Sequence, residues 1–434
     1  MKSRLIKSIV ILSLFFSVGI NAQKISPQLV GTNLWYKNTS DTVWQLTKNS
    51  GVKIIRIGGH SYDKNLPSKE TLLDWVKKIR AAGAEPLMQV SQYKSAEVAA
   101  DLVRYFNVEM SKEVAPIKYW NIGNEPWLQA NRPDIKTFGA VVEGYFKPIA
   151  AAMKAVDLSI KIYGPDFCDY LNEPINDLFG GKNDITGKVP AKNYYYCDGL
   201  VWHRYPQGNG DPAVEGANDI LKRIVKSKAK VDEVNAKHKR TGDNALIWGI
   251  GEYNSKGGKE VHTWGNGQMF GAVLGWCMEY GAKYAASWSM FENAGNRKGT
   301  DFSNIDGAHM TPRASLRHME FVAKYFTGTF VKGISPDTCF MVYGAQQGKR
   351  LSVMIMNRGF GEARNYNLYL KDTKNLAAGL SLIVKGKLSN VYKDAIQPRS
   401  TQVLVFEGDS ITKINYTSDD FDKELPPIYT IFKK

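Results

Sequence analysis

From Gln28 to about Tyr325, short apolar runs alternate with longer stretches in which apolar residues return every three or four positions. Runs of the first kind read as buried strands, and stretches of the second as helices packed by one face. Leu29–Leu34, Val52–Gly59, Glu85–Ser91 and Ile117–Ile122 are the first four predicted strands. Lys161–Phe167, Gly199–Pro206, Ala245–Gly251 and Tyr284–Phe291 are the next four. Between them, Leu72, Val76 and Ile79 set a helix that Ser68 caps and Gly83 stops. Ser95 opens another, with Val98, Leu102 and Tyr105 on one face, and Val141, Tyr145 and Ile149 mark the next. Ile220–Val234, Met269–Tyr280 and Leu316–Tyr325 complete the helical set. Eight strand–helix units in one chain predict a closed (β/α)8 barrel, the TIM-barrel architecture, rather than an open sheet.

The pattern changes after Arg313. Cys339–Gly344, Leu351–Asn357, Tyr366–Leu370, Leu380–Lys385 and Thr401–Phe406 are strand-like, with turn residues between them and no helix-length runs. They predict a β-sandwich of roughly 100 residues, with a boundary in the Gly- and Thr-rich Thr327–Ser335. The expected organisation is therefore α/β: a barrel over 23–328 and a small all-β domain over 329–434.

The N-terminus stands apart. Lys2, Arg4 and Lys7 precede the apolar Ser8–Ile20, and Asn21-Ala22 offers a small residue before Gln23. Residues 1–22 read as a cleavable signal peptide, which predicts a secreted protein, periplasmic or extracellular. No cysteine follows the apolar run, and no other segment is apolar enough to span a bilayer, so neither a lipid anchor nor membrane insertion is expected.

Charge and cysteines narrow the classes further. The formal charge is +15, and losing Lys2, Arg4 and Lys7 lowers it to +12. The basic run Lys226–Arg240 reads as a solvated helix face. No basic-aromatic module or reading-helix motif is present, so nucleic acid is not an expected partner. Cys168, Cys197, Cys277 and Cys339 contain no Cys-x-x-Cys pair, so no metal or other cofactor is expected. Export permits a Cys168–Cys197 bridge, with buried thiols as the alternative.

Candidate chemistry centres on Tyr119–Trp127. The strand Ile117–Ile122 is broken by Gly123 and cannot resume past Pro126, which leaves Asn124 and Glu125 where a barrel strand opens into its C-terminal loop. Ala245–Asn254 repeats the setting, with Glu252 after an apolar strand. Two carboxyls on one rim can act as proton donor and nucleophile on a glycosidic bond, and an amide beside one of them can bind a sugar hydroxyl. The nucleophile must stay ionised, which a nearby Arg and hydroxyl would favour. Arg56, His60, His203, Tyr205 and Trp288 fall on the same rim by strand position. Trp35, Tyr36, Tyr62, Trp127 and Trp264 fall in loops that can line an extended cleft. The competing readings are a barrel-core ion pair for Arg56, a core histidine for His203 and plain packing for Trp288. The long loops Gln207–Glu215 and Asn293–Gly307 are expected to shape substrate subsites.

This set resembles the superfamily of retaining glycoside hydrolases built on (β/α)8 barrels with glutamates at the ends of strands four and seven. The resemblance covers about Gln28–Tyr325 and rests on Asn124-Glu125-Pro126, His203-Arg204-Tyr205 and Gly251-Glu252-Tyr253. With its C-terminal sandwich the chain is similar to the branch holding heparanase-like, arabinofuranosidase and some endo-glucanase and agarase enzymes. The resemblance implies Glu125 as acid/base and Glu252 as nucleophile. It also implies Asn124 on the 2-hydroxyl, Arg56 and Tyr205 beside the nucleophile, His203 in the same pocket, and Trp288 as the floor. The implied function is a secreted, monomeric enzyme that cuts inside a β-linked polysaccharide, a β-1,3-glucan or an algal galactan. One alternative is an acidic glycan, a glucuronide or sulfated chain, met by Arg204, Arg132 or Lys298. Another is a non-catalytic carbohydrate-binding protein.

Overall fold

The computed structural model describes residues 23–433 apart from 129–134, 207–209, 293–300, 372–379 and 384–389. The leader-like residues 1–22 lie outside the described residues, as do Arg132, Lys298 and parts of both long rim loops.

Eight parallel strands close into a barrel in sequence order. They are β1 Val30–Leu34, β2 Ile54–Ile57, β3 Glu85–Val90, β4 Tyr119–Ile122, β5 Lys161–Tyr163, β6 Gly199–Arg204, β7 Ile247–Tyr253 and β8 Ala285–Ser287. Between and after them run α1 Asp41–Ser50, α2 His60–Lys64, α3 Lys69–Ala81, α4 Ala96–Arg104, α5 Ile135–Val156, α6 Asn172–Leu178, α7 Ala217–His238, α8 Trp264–Glu279 and α9 Ala314–Tyr325. The fifth and eighth strands are shorter than expected. Gly164-Pro165 ends β5, since proline lacks the N–H that the ladder needs. The capping prediction holds: Ser68 Oγ accepts from Thr71 N at 3.3 Å and starts α3. Two helical faces are shifted, for Val98 and Val141 are exposed while Val103, Phe106, Val142 and Phe146 carry the packing.

The barrel interior is layered. Ile54, Leu87, Tyr119, Tyr163, Val201, Tyr284 and Ala286 form a compact apolar plug. Two residues further along each strand, on the same inward face, come Arg56, Gln89, Asn121 and His203, all fully buried. A polar layer thus sits on the apolar plug, towards the C-terminal ends of the strands.

Nine further strands follow: β9 Thr329–Ile334, β10 Phe340–Gln347, β11 Arg350–Asn357, β12 Arg364–Lys371, β13 Leu380–Ile383, β14 Asn390–Ile396, β15 Ser400–Glu407, β16 Ser410–Thr417 and β17 Ile428–Lys433. They make one mixed sheet in the order β14-β12-β13-β9-β10-β11-β15-β16-β17. The sheet curls at β9 so that β12 and β13 lie over β10, β11 and β15, and the two layers share one apolar core. On β11, Val353 and Ile355 enter that core, while Met354 and Met356 point the other way and pack on the barrel. The unbroken apolar run of this strand follows from burial on both faces.

Helix α8 is buried nearly all round because it lies between barrel and sheet. A Cβ at Gly275 would sit 2.5 Å from the Tyr343 ring, so the close approach depends on that glycine. Tyr343 donates to Gly271 O at 2.7 Å, and Gln268 Nε2 to Asn357 O and Ser400 O at 3.1 and 3.0 Å. The small domain is thereby braced against the barrel on buried polar as well as apolar contacts. All four cysteines are free thiols; the bridge permitted by export is not formed, and buried Cys197 turns its Sγ to the carbonyls of Gly164 and Gly199.

Candidate active site

The polar layer and the strand ends above it converge on two glutamates. Glu252, on β7, is nearly buried; its Oε1 accepts from Arg56 Nη1 at 2.9 Å and its Oε2 from the Tyr205 hydroxyl at 2.7 Å. Glu125, just past β4, is partly open, and its Oε1 lies 2.8 Å from His203 Nδ1. The same His203 nitrogen is 3.5 Å from Glu252 Oε2. One oxygen of each glutamate comes within 4.8 Å of the other. Carboxyl groups that react by double displacement stand roughly 5–5.5 Å apart, and so close an approach of two of their oxygens is compatible with that arrangement.

Local backbone sets this geometry. Gly123 turns the chain at φ +76°, and Glu125 itself adopts φ +40°, a left-handed conformation unfavourable to a side chain. It is held there by the Glu125 N–H, which donates to Asp166 O at 2.9 Å. Held this way by its surroundings, the residue is a candidate for a functional role. On β6 the alternation of a strand sends His203 inward and Trp202 outward, where its Nε1 donates to Ser227 Oγ of α7 at 2.6 Å. Tyr205, two residues past His203, returns to the inner face and reaches Glu252.

Arg56 is the hub. Besides Glu252 it donates to Asn33 Oδ1 at 2.8 Å, Asn124 Oδ1 at 2.6 Å and Gln89 Oε1 at 3.0 Å, and it pairs with Asp166 at 2.7 Å. It is a buried ion pair and a site residue at once. With its Oδ1 engaged by Arg56, Asn124 keeps its amide N–H groups for another acceptor.

The charges respond to burial and to one another. Burial works against the Arg56 charge, but Asp166 and Glu252 outweigh it and hold the guanidinium firmly protonated. Burial also pulls His203 down, yet Glu252, Asp166 and Glu125 together push it up to about 9, so the imidazole is cationic at neutral pH. For Asp166, Arg56, His203 and Asn121 overcome burial and hold the carboxyl below its ordinary value. Glu252 goes the other way: burial raises it, and His203, Arg56 and the Tyr205 hydroxyl recover only part of that rise, which Glu125 increases. The expected arginine and hydroxyl are in place beside the nucleophile candidate, but burial is the larger effect.

Glu125, His203 and Glu252 also have the spacing of a three-ligand metal set. The hydrogen bond at 2.8 Å between His203 Nδ1 and Glu125 Oε1 turns that ring nitrogen to a carboxyl.

A cleft of about 630 Å³ opens between the loops that follow β1, β2 and β8; neither glutamate lines it, but Phe302 in its wall packs edge-on against Tyr205, the partner of Glu252. Trp35, Tyr36, His60, Tyr62, Trp288 and Phe302 line the cleft. Trp35 and Trp288 lie nearly parallel, ring centroids 6.1 Å apart, and both indole N–H groups donate to Glu292 Oε1, at 3.1 and 2.9 Å. A Cβ at Gly59 would meet the Trp288 ring at 2.7 Å, so the glycine pair ending β2 is what lets that ring lie across the site.

Three expected cleft or subsite residues are elsewhere. Trp127 is buried two residues past Glu125, stacked on Phe167 at 5.1 Å and edge-on to Phe138, so its ring packs the loop. Trp264 is buried against His318 and Tyr416, under the small domain. Arg204 pairs with Asp169 at 2.8 Å and Asp219 at 2.6 Å, on the outer side of β6 away from His203, because neighbours on a strand face opposite ways. Conversely, Asn33, Gln89, Asn121, Asp166 and Glu292 belong to the site network and were not singled out from sequence. The signal for Gln89 and Asn121 was available: each is a lone polar residue inside an apolar strand, two positions beyond a plug residue. Asp166 and Glu292 lie in irregular segments and carry no such mark.

No protein-family model matches this chain, and no curated protein matches it. Solved structures do. A family 51 α-L-arabinofuranosidase from Bifidobacterium longum superposes with TM-score 0.62 at 12% identity, covering 88% of this chain and 96% of that one. An α-L-arabinofuranosidase from Thermotoga maritima, in an arabinose complex, gives 0.63 at 14%, covering 89% and 98%. A family 44 endoglucanase from Clostridium acetobutylium gives 0.59 at 17%, covering 89% and 97%. Over nearly its whole length, therefore, the chain has the fold of these proteins, an eight-stranded parallel barrel carrying a C-terminal sheet domain.

Proposed function

We propose that the protein is a retaining glycoside hydrolase that cuts within a neutral, β-linked glycan. The observation that carries this reading is the carboxyl pair within 4.8 Å, in which only Glu252 is gripped by Arg56 and Tyr205. Glu252 is the nucleophile: its carboxylate bonds to the anomeric carbon as the glycosidic C–O bond breaks. Glu125 is the acid/base: its proton goes to the departing oxygen, which leaves as an alcohol. In the second step Glu125 takes a proton from water, the water oxygen bonds to the anomeric carbon, and Glu252 departs as carboxylate. The indole of Trp288 offers the sugar ring a flat apolar face. Neighbours in fold named arabinofuranosidase and endoglucanase support the reaction class and leave the sugar open.

The barrel's geometry gives the chain a direction. The acid, on β4, protonates the leaving side of the bond, whereas the aromatic cleft lies across the barrel at β8, β1 and β2. The cleft therefore takes sugars on the retained side of the cut. Room for more than one ring there favours cutting within a chain over removal of single terminal sugars. Its described lining holds no carboxylate and a single lysine, Lys37, which favours an uncharged glycan. β-1,3-Glucans and algal galactans are the first chains to test, and the leader-like N-terminus supports an exported enzyme.

The test is a panel of neutral and acidic polysaccharides, read by product length and by proton NMR of the newly formed anomer. Oligosaccharides first released as the β-anomer from a neutral chain are expected. Release of the α-anomer, monosaccharides alone, or no hydrolysis of any chain overturns the reading.

A further inference from the structure

Asp166 is fully buried and reaches no substrate-facing surface, yet it touches each working part of the site. Its main-chain carbonyl receives the Glu125 N–H at 2.9 Å. Its Oδ1 accepts from Asn121 Nδ2, and its Oδ2 pairs with Arg56 at 2.7 Å. The same Oδ2 lies 3.6 Å from His203 Nε2, which has no hydrogen-bond partner among the described residues. The Asp166 carboxylate, already paired with Arg56, is the buried acceptor placed to answer that ring nitrogen. His203 then continues through Nδ1 to Glu125 at 2.8 Å. A carboxylate–imidazole–carboxyl chain thus runs from the barrel core up to the acid/base.

Resting on the roles proposed above for the two glutamates, we infer that Asp166 is a positioning residue for the reaction. From beneath the site it holds His203 and the main chain of Glu125 in place, and it balances the buried cations so that Glu125 can carry the proton it donates.

The charge count gives the reason. Around the Asp166–His203 pair stand Arg56 from β2, Glu125 after β4, Glu252 from β7 and the Tyr284 hydroxyl below. Gln89 and Asn121, from β3 and β4, are neutral. β7 otherwise presents only Gly251, where a Cβ would lie 2.8 Å from His203 Nε2. Two cations, Arg56 and His203, face two fixed carboxylates, Asp166 and Glu252. The cluster is then neutral when Glu125 is in its acid form. Remove the Asp166 charge, and ionising Glu125 becomes the way to restore neutrality, which would disarm it as an acid. In a water-poor interior such imbalances are costly.

Asp166→Asn keeps the shape and removes the charge. On a glycan, whose leaving group needs a proton, kcat/KM should fall by about 10²-fold, the scale of general-acid catalysis, and its alkaline limb should move to lower pH. On an aryl glycoside with an acidic phenol, which departs unaided, kcat/KM should hold within about threefold and its alkaline limb should stay put. Equal losses on both substrates with no shift in either limb would mean a structural role alone and overturn the inference. A second measurement needs no variant. In the wild-type protein, the ¹⁵N imidazole signal of His203 should titrate near pH 9. Titration at the ordinary histidine value, about 6.5, overturns the inference even if Asp166→Asn does not fold. If the wild type hydrolyses no glycoside, the functional reading fails by itself, and the imidazole titration still decides whether Asp166 balances a cation: it should fall to lower pH in Asp166→Asn, and an unchanged value overturns the inference.

Discussion

Two clusters of charge are buried in this barrel, at opposite ends of its strands, and they are built on different principles. At the N-terminal end Asp198, just before β6, meets Lys154 of α5 at 2.7 Å, Arg240 after α7 at 3.7 Å and Lys161 at 3.8 Å. Here one carboxylate faces an excess of cations, and the cations use their remaining donors on main-chain carbonyls. Arg240 reaches Thr186 O, Cys197 O and Asn244 O at 3.0, 2.9 and 2.7 Å. Asp198 in turn accepts from Ile162 N at 2.9 Å. Such a cluster clips loops to strand beginnings. At the C-terminal end three carboxyl groups, Asp166, Glu125 and Glu252, face Arg56 and His203, and donors go mainly to other side chains. Among the described residues, Arg56 Nε, Gln89 Nε2, Asn121 Oδ1 and His203 Nε2 lack a hydrogen-bond partner, against Arg240 Nη2 in the lower cluster, and Glu125 holds a left-handed backbone. One cluster uses charge to close the fold, and the other holds charge ready. Barrel enzymes work at the C-terminal face, and that is where the unsatisfied cluster lies.

The contrast breaks most visibly at Glu252. Glu252→Ala should lose about 10⁵-fold or more in kcat on glycans and aryl glycosides alike, because no covalent intermediate can form. Glu125→Ala should lose almost as much on glycans and far less on an aryl glycoside with an acidic phenol, where the intermediate forms and then stalls. Azide, which needs no base, should restart it and yield a β-glycosyl azide, while azide with Glu252→Ala should give the α-product. Exchange of these two behaviours would reverse the assigned roles.

At the other end the expected losses change kind. Asp198→Ala leaves Lys154 and Arg240 buried without their counter-charge and should destabilise the fold by about 3–5 kcal/mol, while kcat of the folded fraction stays near wild type. Denaturant unfolding and active-site titration separate the two. A kcat that collapses with stability intact would erase the distinction between the clusters.

A smaller effect sharpens the same line within the aromatics. Trp288→Ala should lower kcat/KM by roughly 10–200-fold with little change in unfolding, since its ring faces the cleft. Trp127→Ala should act first on stability, by about 3–5 kcal/mol, because its ring is packed in the loop core just past Glu125. The sequence placed Trp288 in the eighth predicted strand and Trp127 in the loop after the fourth, and expected both at the cleft. Only the packing partners, Phe138 and Phe167 for one and Glu292 with Trp35 for the other, assign them.

That limit applies more widely. The barrel was legible because eight apolar strands alternate with amphipathic helices, and Glu125 and Glu252 because each follows such a strand. The strands β9, β14, β16 and β17 were not: β9 falls in the Gly- and Thr-rich stretch read as the boundary, Lys, Asn and Thr interrupt β14 and β16, and β17 is an apolar run exposed throughout, which no core pattern marks. Asp166 escaped because Gly164-Pro165 ends β5 early and leaves it in irregular chain, where a lone aspartate reads as a turn. Its importance lies in what it balances, and the residues it balances come from distant parts of the sequence.

The smallest expected effect tests whether the upper cluster costs stability that the lower one supplies. Burial holds the Glu252 carboxyl above its ordinary value, so the folded protein binds that proton more tightly than the unfolded chain does. The contribution of this group to stability is therefore complete at low pH. It declines as pH rises from the ordinary glutamate value, about 4.3, through the raised folded value, and beyond that it stays at its reduced level. Glu252→Gln is neutral throughout and escapes this penalty. At neutral pH it should unfold higher than wild type by roughly 2–4 °C, the response of a large domain to about 1 kcal/mol, and the gain should vanish below about pH 4. Differential scanning calorimetry across that range reads both features. A Glu252→Gln protein less stable than wild type at pH 7 would mean that Arg56 and Tyr205 hold the ionised carboxylate more strongly than burial repels it. The upper cluster would then stabilise the fold much as the lower one does, and the division between them would rest on catalysis alone.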